Sequence, residues 1–590
     1  MKKEINIEHY RHTLAHLLGA TIVRMYPGAK LTIGPAVDNG FYYDFDLSKV
    51  TPRQGGESTV TDKSLAKIEK EMKKLLPTWD KFSHKEVSAD EAREYFKGNE
   101  YKLELIEDIV KKGEKITLYT SGMFTDLCRG GHIENPAEQI VPDGFKLSHV
   151  AGAYWRGDET KPMLTRVYGL AFESKEALEK YIWQQEEAKK RDHKKLGREM
   201  KLFTLSPLVG SGLPLFQPRG MIVRKAIEDY LWGLHKEKGY SRVWTPHIAK
   251  EDLYVTSGHA AKFGDELFRV QGKEEKFFMK PMNCPHHMQI FADNQFSYRD
   301  MPVRYFEPAT VYRDEKSGQL GGLTRVRSIT QDDGHLFCRV SQIGDEVSTI
   351  VNIIKEFYTT MNMMDEYWVR LSTRGEDKSV YIGGDDVWEK AEGALKNAAV
   401  REKLNWKPGP GEAAFYGPKL DFMFKDAIGR EWQLATIQCD FNLPERFDLS
   451  FINEKGEKER PVVIHRAISG SLERFMGVLI EHYAGDFPLW LAPVQVRVLP
   501  VRDTHNTYAQ EIYEKLRAAG IRAEIMLEDI GLGKKVRAAK DDRASYFIIV
   551  GDKDVEAKKA TLENRLGGPL GQLTTEEIIA KLAKEISEKK

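Results

Sequence analysis

Cys284 lies in the segment MKPMNCPHHM, between two prolines and directly before two histidines. The other three cysteines, at positions 128, 338 and 439, are distant in sequence, so neither a CxxC pair nor a disulfide framework is present. Cys284 could be a small buried apolar residue, a nucleophile, or one ligand of a metal whose other ligands lie far along the chain. Its spacing leaves all three alternatives open.

A second group of potential metal ligands lies near the N-terminus. His12 and His16 are four residues apart in a predicted helix, so they share one face. The segment DLCRGGHIENP adds Cys128 and His132 in a CxxxH spacing, with Asp126 just before them. By chemistry alone, these histidines and this cysteine indicate a closed zinc site of the Cys-His₃ type.

Polar side chains dominate one face of a strand predicted in TRVRSITQDDGHLF, residues 324–337. Because side chains alternate between the faces of a strand, the odd positions point the same way. They are Arg325, Arg327, Ile329, Gln331, Asp333 and His335. Such a face is ordinarily a solvated sheet surface. Arginines on both sides of the flexible loop KSGQLGGL, with Arg313 upstream, would instead suit a nucleotide phosphate group.

The segment GSLERFMGVLIEHY, residues 470–483, predicts a helix with an apolar core side. Arg474 falls in its first turn, against the positive end of the helix dipole. The arginine and the dipole together would attract a polyanion. Neither the Walker motif GxxxxGK(S/T) nor the dinucleotide motif GxGxxG is present, which argues against a P-loop or Rossmann nucleotide site.

Several domains must position these residues, because 590 residues exceed what one core holds. The sequence predicts an α+β multidomain protein. Residues 1–175 begin with an apolar-striped helix at Glu8–Met25, followed by strands joined at an Asp-Asn-Gly turn. Residues 176–200 predict one charged linker helix, either simply solvated or touching a polyanion through its basic half. Residues 201–493 are rich in aromatics and Gly-rich loops.

Residues 494–590 alternate strands and helices and predict a small α/β domain. Thr574 and Glu577 form a capping-box signature ahead of the last helix. Lysine plus arginine equals aspartate plus glutamate at 89 each, so a nucleic-acid partner would need local basic patches. The longest apolar stretches fall short of the ~20 residues of a membrane helix. With no signal-peptide pattern either, we expect a cytoplasmic protein without a membrane partner.

Several motifs together resemble class II aminoacyl-tRNA synthetases. YRDE, RxR with QDDGHLFC, and GSLERFMG are similar to motifs two and three, and GYSRVWTPHI at Gly239–Ile248 is similar to motif one. KPMNCPHHM, LSTR, FYGPKLDF, IQCDFNLP and VIHRAISGSLERF resemble the threonyl-tRNA synthetase family in particular. The resemblance starts near residue 9. The family's N-terminal ubiquitin-like domain is not found ahead of it, so it is either naturally absent or trimmed.

This resemblance implies three domains: an N-terminal α+β editing domain, a catalytic core on an antiparallel sheet, and a C-terminal α/β anticodon-binding domain. It makes Cys284, His335 and His465 the protein ligands of one zinc ion per chain. Three N/S ligands with an open position are typical of a substrate-binding zinc. The implied partners are ATP with Mg²⁺, L-threonine, tRNA(Thr) and, through motif one, a second copy of the chain.

The resemblance also implies a role for each remaining pocket residue. Arg313 contacts the α-phosphate and the threonine carboxylate, Glu315 reads the adenine amino group, and Arg325 and Arg474 hold the distal phosphates. Gln331 and Lys419 position the carboxylate and the α-phosphate. Asp333 accepts a hydrogen bond from the threonine hydroxyl, and Tyr416 approaches the amino group. The pocket would also be lined by Gln438 and Ser471.

Serine lacks only one methyl group of threonine, worth roughly 1–3 kcal/mol of discrimination, so a second, hydrolytic site is expected. The resemblance assigns that role to the N-terminal set, with His12 or His16 orienting or activating water. Tyr43 is a further candidate in the same site. This set is metal-free in the threonyl family but binds zinc in alanyl-type editing domains. We expect the metal-free form, with about one zinc per chain in place of two.

The predicted RNA face of the C-terminal domain is the basic helix GKKVRAAKDDR with the loop before it. One position departs from the family, since Glu563 stands where many bacterial relatives carry arginine, and an acid there would repel phosphate. Two other functions compete: a synthetase-like RNA-binding module without catalysis, and a ligase for proline, histidine or serine. The intact motif arginines argue against the first, and the zinc set argues against the second.

Overall fold

The computed structural model describes residues 5–50 and 59–590, so residues 1–4 and 51–58 of the predicted N-terminal domain lie outside it. The chain divides into two compact units, Met1–Glu186 and Glu187–Lys590, here called the first and second units. This division falls inside the predicted linker. Each unit is built around its own hydrophobic cores.

The first unit packs a long helix against an antiparallel sheet. The helix Ile7–Met25 begins at Asn6, whose side chain accepts hydrogen bonds from the backbone of Glu8 and His9. Its apolar stripe meets Phe41 and Phe45 in one core. Five of the described strands form the sheet: Lys30–Leu31, Ala36–Val37, Gly40–Asp46, Phe145–Tyr154 and Met163–Ala171. The predicted helix and the turn before Gly40 are confirmed.

A smaller sheet carries the second half of the N-terminal set. Its antiparallel strands are Ser83–Val87, Ile116–Ser121 and Phe124–Leu127, the last of which contains Asp126 and leads directly to Cys128. Helices surround the two sheets at Leu65–Leu75, Ala89–Tyr95, Glu100–Lys111 and Pro136–Gln139.

The predicted single linker helix is wrong. Two helices, Lys175–Arg191 and His193–Glu199, occupy this stretch, because the Asp192 side chain accepts hydrogen bonds from the backbone of Lys194 and Lys195 and starts a new helix. His193 is buried, not solvated. Its Nδ1 lies 2.6 Å from Glu481, and its Nε2 accepts the backbone N–H of Leu323 at 3.0 Å.

Eight of the described strands form the central sheet of the second unit. In spatial order they are Ser241–Arg242, Val303–Tyr312, Ser328–Cys338, Val462–Ser471, Glu431–Asp440, Lys419–Lys425, Tyr367–Thr373 and Trp406–Pro410. The six inner strands pair antiparallel, and the short outer strands add on in parallel at both ends. The predicted antiparallel sheet at the centre of this unit is therefore confirmed.

Helices cover this sheet and shape the pocket above it. The core-packing helices are Pro218–Lys236, Ile343–Thr360, Asp385–Arg401 and Leu472–His482. Shorter helices lie at Glu251–Ser257, His259–Phe263, Cys284–Ala292 and Asn442–Arg446. In the described residues, three small sheets accompany the central one. The first has three strands, Ile248–Lys250, Lys276–Met279 and Arg269–Gln271, with Lys276–Met279 in the middle. The other two have two strands each: Phe203–Thr204 with Leu215–Phe216, and Phe451–Ile452 with Lys458–Glu459.

The C-terminal part is a five-stranded mixed sheet with helices. Its strands, in spatial order, are Ala523–Ile525, Val496–Pro500, Tyr546–Val550, Ala560–Asn564 and Gly568–Leu573. Its helices are Asn506–Ala518, Leu532–Asp541, Asp552–Ala557 and Thr575–Ser587. The capping box of Thr574 and Glu577 is confirmed. Lys535 of the predicted RNA face is buried and donates to the Pro500 carbonyl, so this lysine is structural.

None of the described helices combines the length with the apolar character needed to cross a membrane.

Candidate functional site

Cys284, His335 and His465 lie close together in the structure although they are far apart in the sequence. His335 and His465 lie directly opposite each other on neighbouring antiparallel strands. Cys284 begins the helix Cys284–Ala292 beside them. One potential ligand atom from each residue lies within 4.8 Å of the other two, and all three side chains are buried. The sequence alone had left the environment of Cys284 open.

The two imidazoles each present one free nitrogen. Nε2 of His335 and Nδ1 of His465 are buried without a hydrogen-bond partner among the described residues. Their other nitrogens are occupied: Nε2 of His465 lies 2.8 Å from Oδ2 of Asp440, and Nδ1 of His335 lies 2.8 Å from Nδ1 of His287. Buried nitrogens are rarely left unpaired, so the free lone pairs fit a metal ion.

Electrostatics at this cluster favour a bound cation. Burial raises the pKa of the Cys284 thiol well above its usual value, with Asp333 and Asp440 adding to the effect. Burial also holds the pKa of His335 well below its usual value, so its imidazole is neutral. A soft divalent ion such as zinc would offset a thiolate charge there, and neutral imidazoles are its usual ligands.

A cavity of about 570 Å³ opens beside the triad. The predicted residues that line it are Cys284, Arg313, Glu315, Arg325, Gln331, Asp333, Tyr416, Gln438, His465, Ser471 and Arg474. Lys419 lies outside this lining, because its Nζ is 3.0 Å from Oδ2 of Asp421. Arg327 also faces away and donates to the backbone oxygen of Glu315. Sequence reasoning missed Met282, Gln433 and Thr436 in the lining.

Arginines make one end of the cavity strongly cationic. Burial lowers the pKa of Arg313 and of Arg474, and the nearby charge of Arg325 lowers that of Arg474 further. An arginine still keeps its charge at neutral pH, so an anion would relieve this crowding. Arg474 lies in the first turn of its helix, as predicted, and its backbone N–H donates to the Ser471 hydroxyl. Arg325 contacts the Glu315 carboxylate at 3.0 Å.

The other end of the cavity carries hydrogen-bonding groups beside the triad. Tyr416 donates its hydroxyl to Oε1 of Gln438, and its ring lies 4.9 Å from that of His465. Oδ2 of Asp333 is 3.8 Å from Nδ1 of His335. Burial raises the pKa of both Asp333 and Tyr416. A small polar ligand would therefore meet both hydrogen-bonding groups and metal-binding atoms here.

The predicted N-terminal set also converges. Ligand atoms of His12, His16, Cys128 and His132 all lie within 4.8 Å of one another. Cys128 Sγ lies 3.3 Å from Nε2 of His132 and 3.7 Å from Nε2 of His12. Burial lowers the pKa of all three histidines and raises that of the Cys128 thiol to about 11. The site therefore holds neutral imidazoles and a protonated thiol at neutral pH.

The buried carboxylate of Asp126 lies next to this cluster. Asp126 accepts the Tyr43 hydroxyl at 2.6 Å, and its other oxygen lies 2.6 Å from Nζ of Lys102. His16 Nδ1 is 3.9 Å from the same carboxylate. Sequence reasoning missed Lys102. A usable signal was that Lys102 lies one turn before Ile106, so a lysine occupies the buried face of the helix Glu100–Lys111.

Comparison with known families identifies the class of protein that this fold and cavity define. Residues 268–483 match the family described as "tRNA synthetase class II core domain (G, H, P, S and T)". Residues 495–585 match the family described as "Anticodon binding domain". The central antiparallel sheet, its arginine-lined cavity and the C-terminal α/β part are therefore those of a class II aminoacyl-tRNA synthetase.

Individual relatives narrow this further. A threonine–tRNA ligase from Gloeobacter violaceus is 46% identical over 99% of this chain and 93% of its own. One from Thermotoga maritima is 44% identical over 99% of this chain and 89% of its own. A crystal structure of the RNA binding domain of threonyl-tRNA synthetase from Cryptosporidium parvum superposes with a TM-score of 0.64 at 34% identity, covering 67% of this chain and 98% of that chain. The chain belongs to the threonine–tRNA ligase family.

Proposed function

We propose that this protein activates L-threonine with ATP, transfers it to tRNA(Thr), and hydrolyses seryl-tRNA(Thr) at the N-terminal cluster. The observation that carries the proposal is the convergence of Cys284, His335 and His465 beside an arginine-lined cavity. This arrangement argues against an RNA-binding module without catalysis, because that function needs neither feature. It also argues against a ligase for proline, histidine or serine.

Activation relies mainly on positioning and charge. Arg313 contacts the α-phosphate, Arg325 and Arg474 hold the distal phosphates, and Glu315 reads the adenine amino group. The nucleotide enters with Mg²⁺, and a threonine carboxylate oxygen attacks the α-phosphorus in line as pyrophosphate leaves. Pre-oriented cations in a partly dry cavity stabilise the transition-state charge without reorganising. Lys419, now paired with Asp421, would have to exchange partners to reach the phosphate.

Zinc held by Cys284, His335 and His465 would supply a Lewis-acidic centre with room for an amine and a hydroxyl. Asp333 accepts a hydrogen bond from the threonine hydroxyl, while Gln331, Tyr416, Gln438 and Ser471 orient the amino acid. Valine has nearly the same shape but no hydroxyl. It would leave the buried Asp333 carboxylate unpaired, which a site built for a hydroxyl rejects strongly.

Hydrolysis of seryl-tRNA fits the chemistry of the N-terminal cluster. A neutral imidazole, His12 or His16, can accept a proton from water as it attacks the ester. Lys102, Tyr43 and Asp126 form a buried network, and the Asp126 carboxylate lies 3.9 Å from Nδ1 of His16. The Cys128 sulfur lies within hydrogen-bond distance of Nε2 of His12 and of His132, so these imidazoles have a partner without a metal, which supports the metal-free form of this site.

The proposed partners are tRNA(Thr) and a second copy of the chain. Trp244, inside the motif-one segment, exposes 73% of its surface, and Leu208 exposes 99%. Large exposed apolar side chains are typical of interfaces, which supports a homodimer through motif one. Both substrates, ATP and tRNA, support the expected cytoplasmic location.

Threonine-dependent exchange of pyrophosphate into ATP tests this function. We expect the wild-type chain to catalyse exchange, and Cys284→Ala to lose both zinc and exchange. Cys439→Ala is the matched control, because Cys439 is an equally buried thiol outside the triad. A Cys284→Ala protein that lacks zinc yet exchanges at the wild-type rate would show that the metal assignment is wrong.

A further inference from the structure

His335 is linked to a buried carboxylate through a second histidine. Its Nδ1 lies 2.8 Å from Nδ1 of His287, and Nε2 of His287 lies 3.0 Å from Oε2 of Glu307. His287 is on the helix that begins with Cys284, and Glu307 is on the strand next to that of His335. His335 and His287 are fully buried and Glu307 is 3% exposed, so water does not compete for these bonds.

Donors surround the Glu307 carboxylate. Oε1 accepts the backbone N–H of Thr245 at 2.8 Å, and Oε2 accepts the side-chain amide of Asn283 at 2.8 Å. Burial alone would raise the pKa of Glu307, but the charge of Lys280, whose Nζ lies 3.9 Å from Oε1, and the Asn283 amide help to lower it to about 2. An ionised carboxylate can only accept hydrogen bonds, so the facing Nε2 of His287 carries a proton.

The position of that proton determines the state of His335. The His287 tautomer with its proton at Nε2, facing the carboxylate, has a lone pair at Nδ1, facing His335. Two nitrogens 2.8 Å apart share one proton, so Nδ1 of His335 is the donor and its Nε2 keeps a lone pair. The opposite arrangement would direct the His287 Nε2 lone pair at a carboxylate oxygen. It would also protonate Nε2 of His335, for which the described residues offer no acceptor.

One other contact could compete with this assignment. The Asn283 side-chain nitrogen also lies 3.0 Å from Nε2 of His287 and could donate to it. The same nitrogen is closer to the Glu307 carboxylate, at 2.8 Å, and a charged acceptor forms the stronger bond. Its two hydrogens could serve both groups, but a lone pair on Nε2 of His287 would then face the Glu307 oxygen 3.0 Å away, so the His287 proton remains on Nε2.

We propose that Glu307 and His287 are positioning residues that hold His335 in the tautomer with Nε2 free to bind the metal. The inference rests on the zinc site of the proposed function. Groups that hold the far nitrogen of a ligating histidine fix its ring orientation and raise its basicity. The series of hydrogen bonds from His335 through His287 to Glu307 is here called the relay. Glu307 also accepts the backbone N–H of Thr245, so the relay connects the metal site to the motif-one segment.

Glu307→Gln tests the tautomer with little change of shape. The new amide nitrogen can donate to Nε2 of His287, which reverses both imidazoles and places a proton on Nε2 of His335. We expect zinc affinity, measured by competition with a chelator, to fall about ten- to hundred-fold. We also expect the absorption bands of the Co²⁺-substituted protein to shift or weaken, a readout that does not depend on activity.

His287→Phe is the second variant, with His286→Phe as its matched control. His287→Phe keeps a ring but removes the acceptor for His335, so zinc affinity should again fall. Both ring nitrogens of His286 lack partners among the described residues, so His286→Phe should keep wild-type affinity. Circular dichroism and thermal unfolding of the zinc-loaded proteins would identify any variant that fails to fold, and affinities are compared among folded variants.

Two results would overturn the inference, and they are distinguishable. If the wild-type chain binds no zinc, the metal site of the proposed function fails and the relay fails with it. If the wild-type chain binds zinc while folded Glu307→Gln and His287→Phe proteins bind it equally well, with unchanged Co²⁺ spectra, the relay alone is wrong.

Discussion

Asp440 accepts a hydrogen bond from Nε2 of His465 at 2.8 Å, on the side of the ring opposite the free Nδ1. The other Asp440 oxygen accepts the backbone N–H groups of Asn442 and Leu443. We predict that Asp440→Asn lowers zinc affinity about ten-fold or more, because the new amide can donate to Nε2 and favour the wrong tautomer. Chelator competition measures this, and unchanged affinity in a folded variant would contradict it.

The number of zinc ions per chain separates the two interpretations of the N-terminal cluster. We predict about one zinc per wild-type chain, none in Cys284→Ala, and about one in Cys128→Ala. The reason is that Nε2 of His12 and of His132 each have the Cys128 sulfur as a hydrogen-bond partner, whereas Nε2 of His335 and Nδ1 of His465 have none among the described residues. Elemental analysis of the dialysed proteins checks this. Two ions in the wild type, with one lost in Cys128→Ala, would show that the cluster is a zinc site.

Asp333 is predicted to set the preference for threonine over valine. In Asp333→Asn, kcat/KM for threonine in pyrophosphate exchange should fall by more than that for valine, narrowing discrimination by about 2–3 kcal/mol. Serine serves as the control substrate. It has the same hydroxyl as threonine, so kcat/KM for serine should fall together with that for threonine. Equal losses for threonine and valine would mean that Asp333 does not read the hydroxyl.

The N-terminal cluster is predicted to hydrolyse the ester bond of seryl-tRNA(Thr) and to have no part in the activation of threonine. His16→Ala should let seryl-tRNA(Thr) accumulate, with hydrolysis at least ~100-fold slower, because general-base catalysis contributes that much. Threonine-dependent pyrophosphate exchange should stay at the wild-type rate. His149→Ala, which changes an exposed histidine of the same unit, is the control. Wild-type hydrolysis by His16→Ala would exclude His16 as a participant.

The buried histidines should make the stability of the first unit depend on pH. Burial lowers the pKa of His16 well below 6.5. As the pH falls through 6.5, His16 therefore binds a proton in the unfolded chain but not in the folded chain. Stability is therefore full above about pH 6.5 and falls as the pH falls below it, by up to about 1.4 kcal/mol for His16 between pH 7.5 and 5.5.

Calorimetry of the full chain at these two pH values checks the effect. His16→Gln should reduce the pH dependence of the transition, whatever it does to stability at pH 7.5, and His149→Gln should leave that dependence unchanged. A His16→Gln protein with the full wild-type dependence would refute the assignment.

Strand alternation was enough to predict part of the catalytic pocket. Gln331 and Asp333 line the cavity and His335 lies behind them, as the odd positions of their strand required. The predicted orientation of Arg327 was wrong. The strand begins only at Ser328, so the alternation of side chains does not extend to Arg327. Cys284 could not be assigned from its own segment, because its two partner histidines come from strands far along the chain.

Charge patterns were a less reliable guide. The charge pattern of residues 176–200 predicts one linker helix, but Asp192 caps a new helix and His193 is buried against Glu481 and Leu323. Lys102 and Lys535 are lysines in helices that proved buried, each with a specific oxygen partner. A sequence pattern shows on which face of a helix a lysine lies. It does not show whether another part of the fold places an oxygen acceptor against that face.

His335 and His465 are Cα partners across two strands, and Gln438 is the Cα partner of His465 on its other side. A slip of the pairing between His335 and His465 by one residue would turn one imidazole to the opposite surface of the sheet. The proposed zinc ion could therefore bind only a chain in which these two strands are aligned correctly, and its binding energy would select against the misaligned forms. Loading with zinc would thus act as a check on the folding of the sheet as well as on the choice of amino acid.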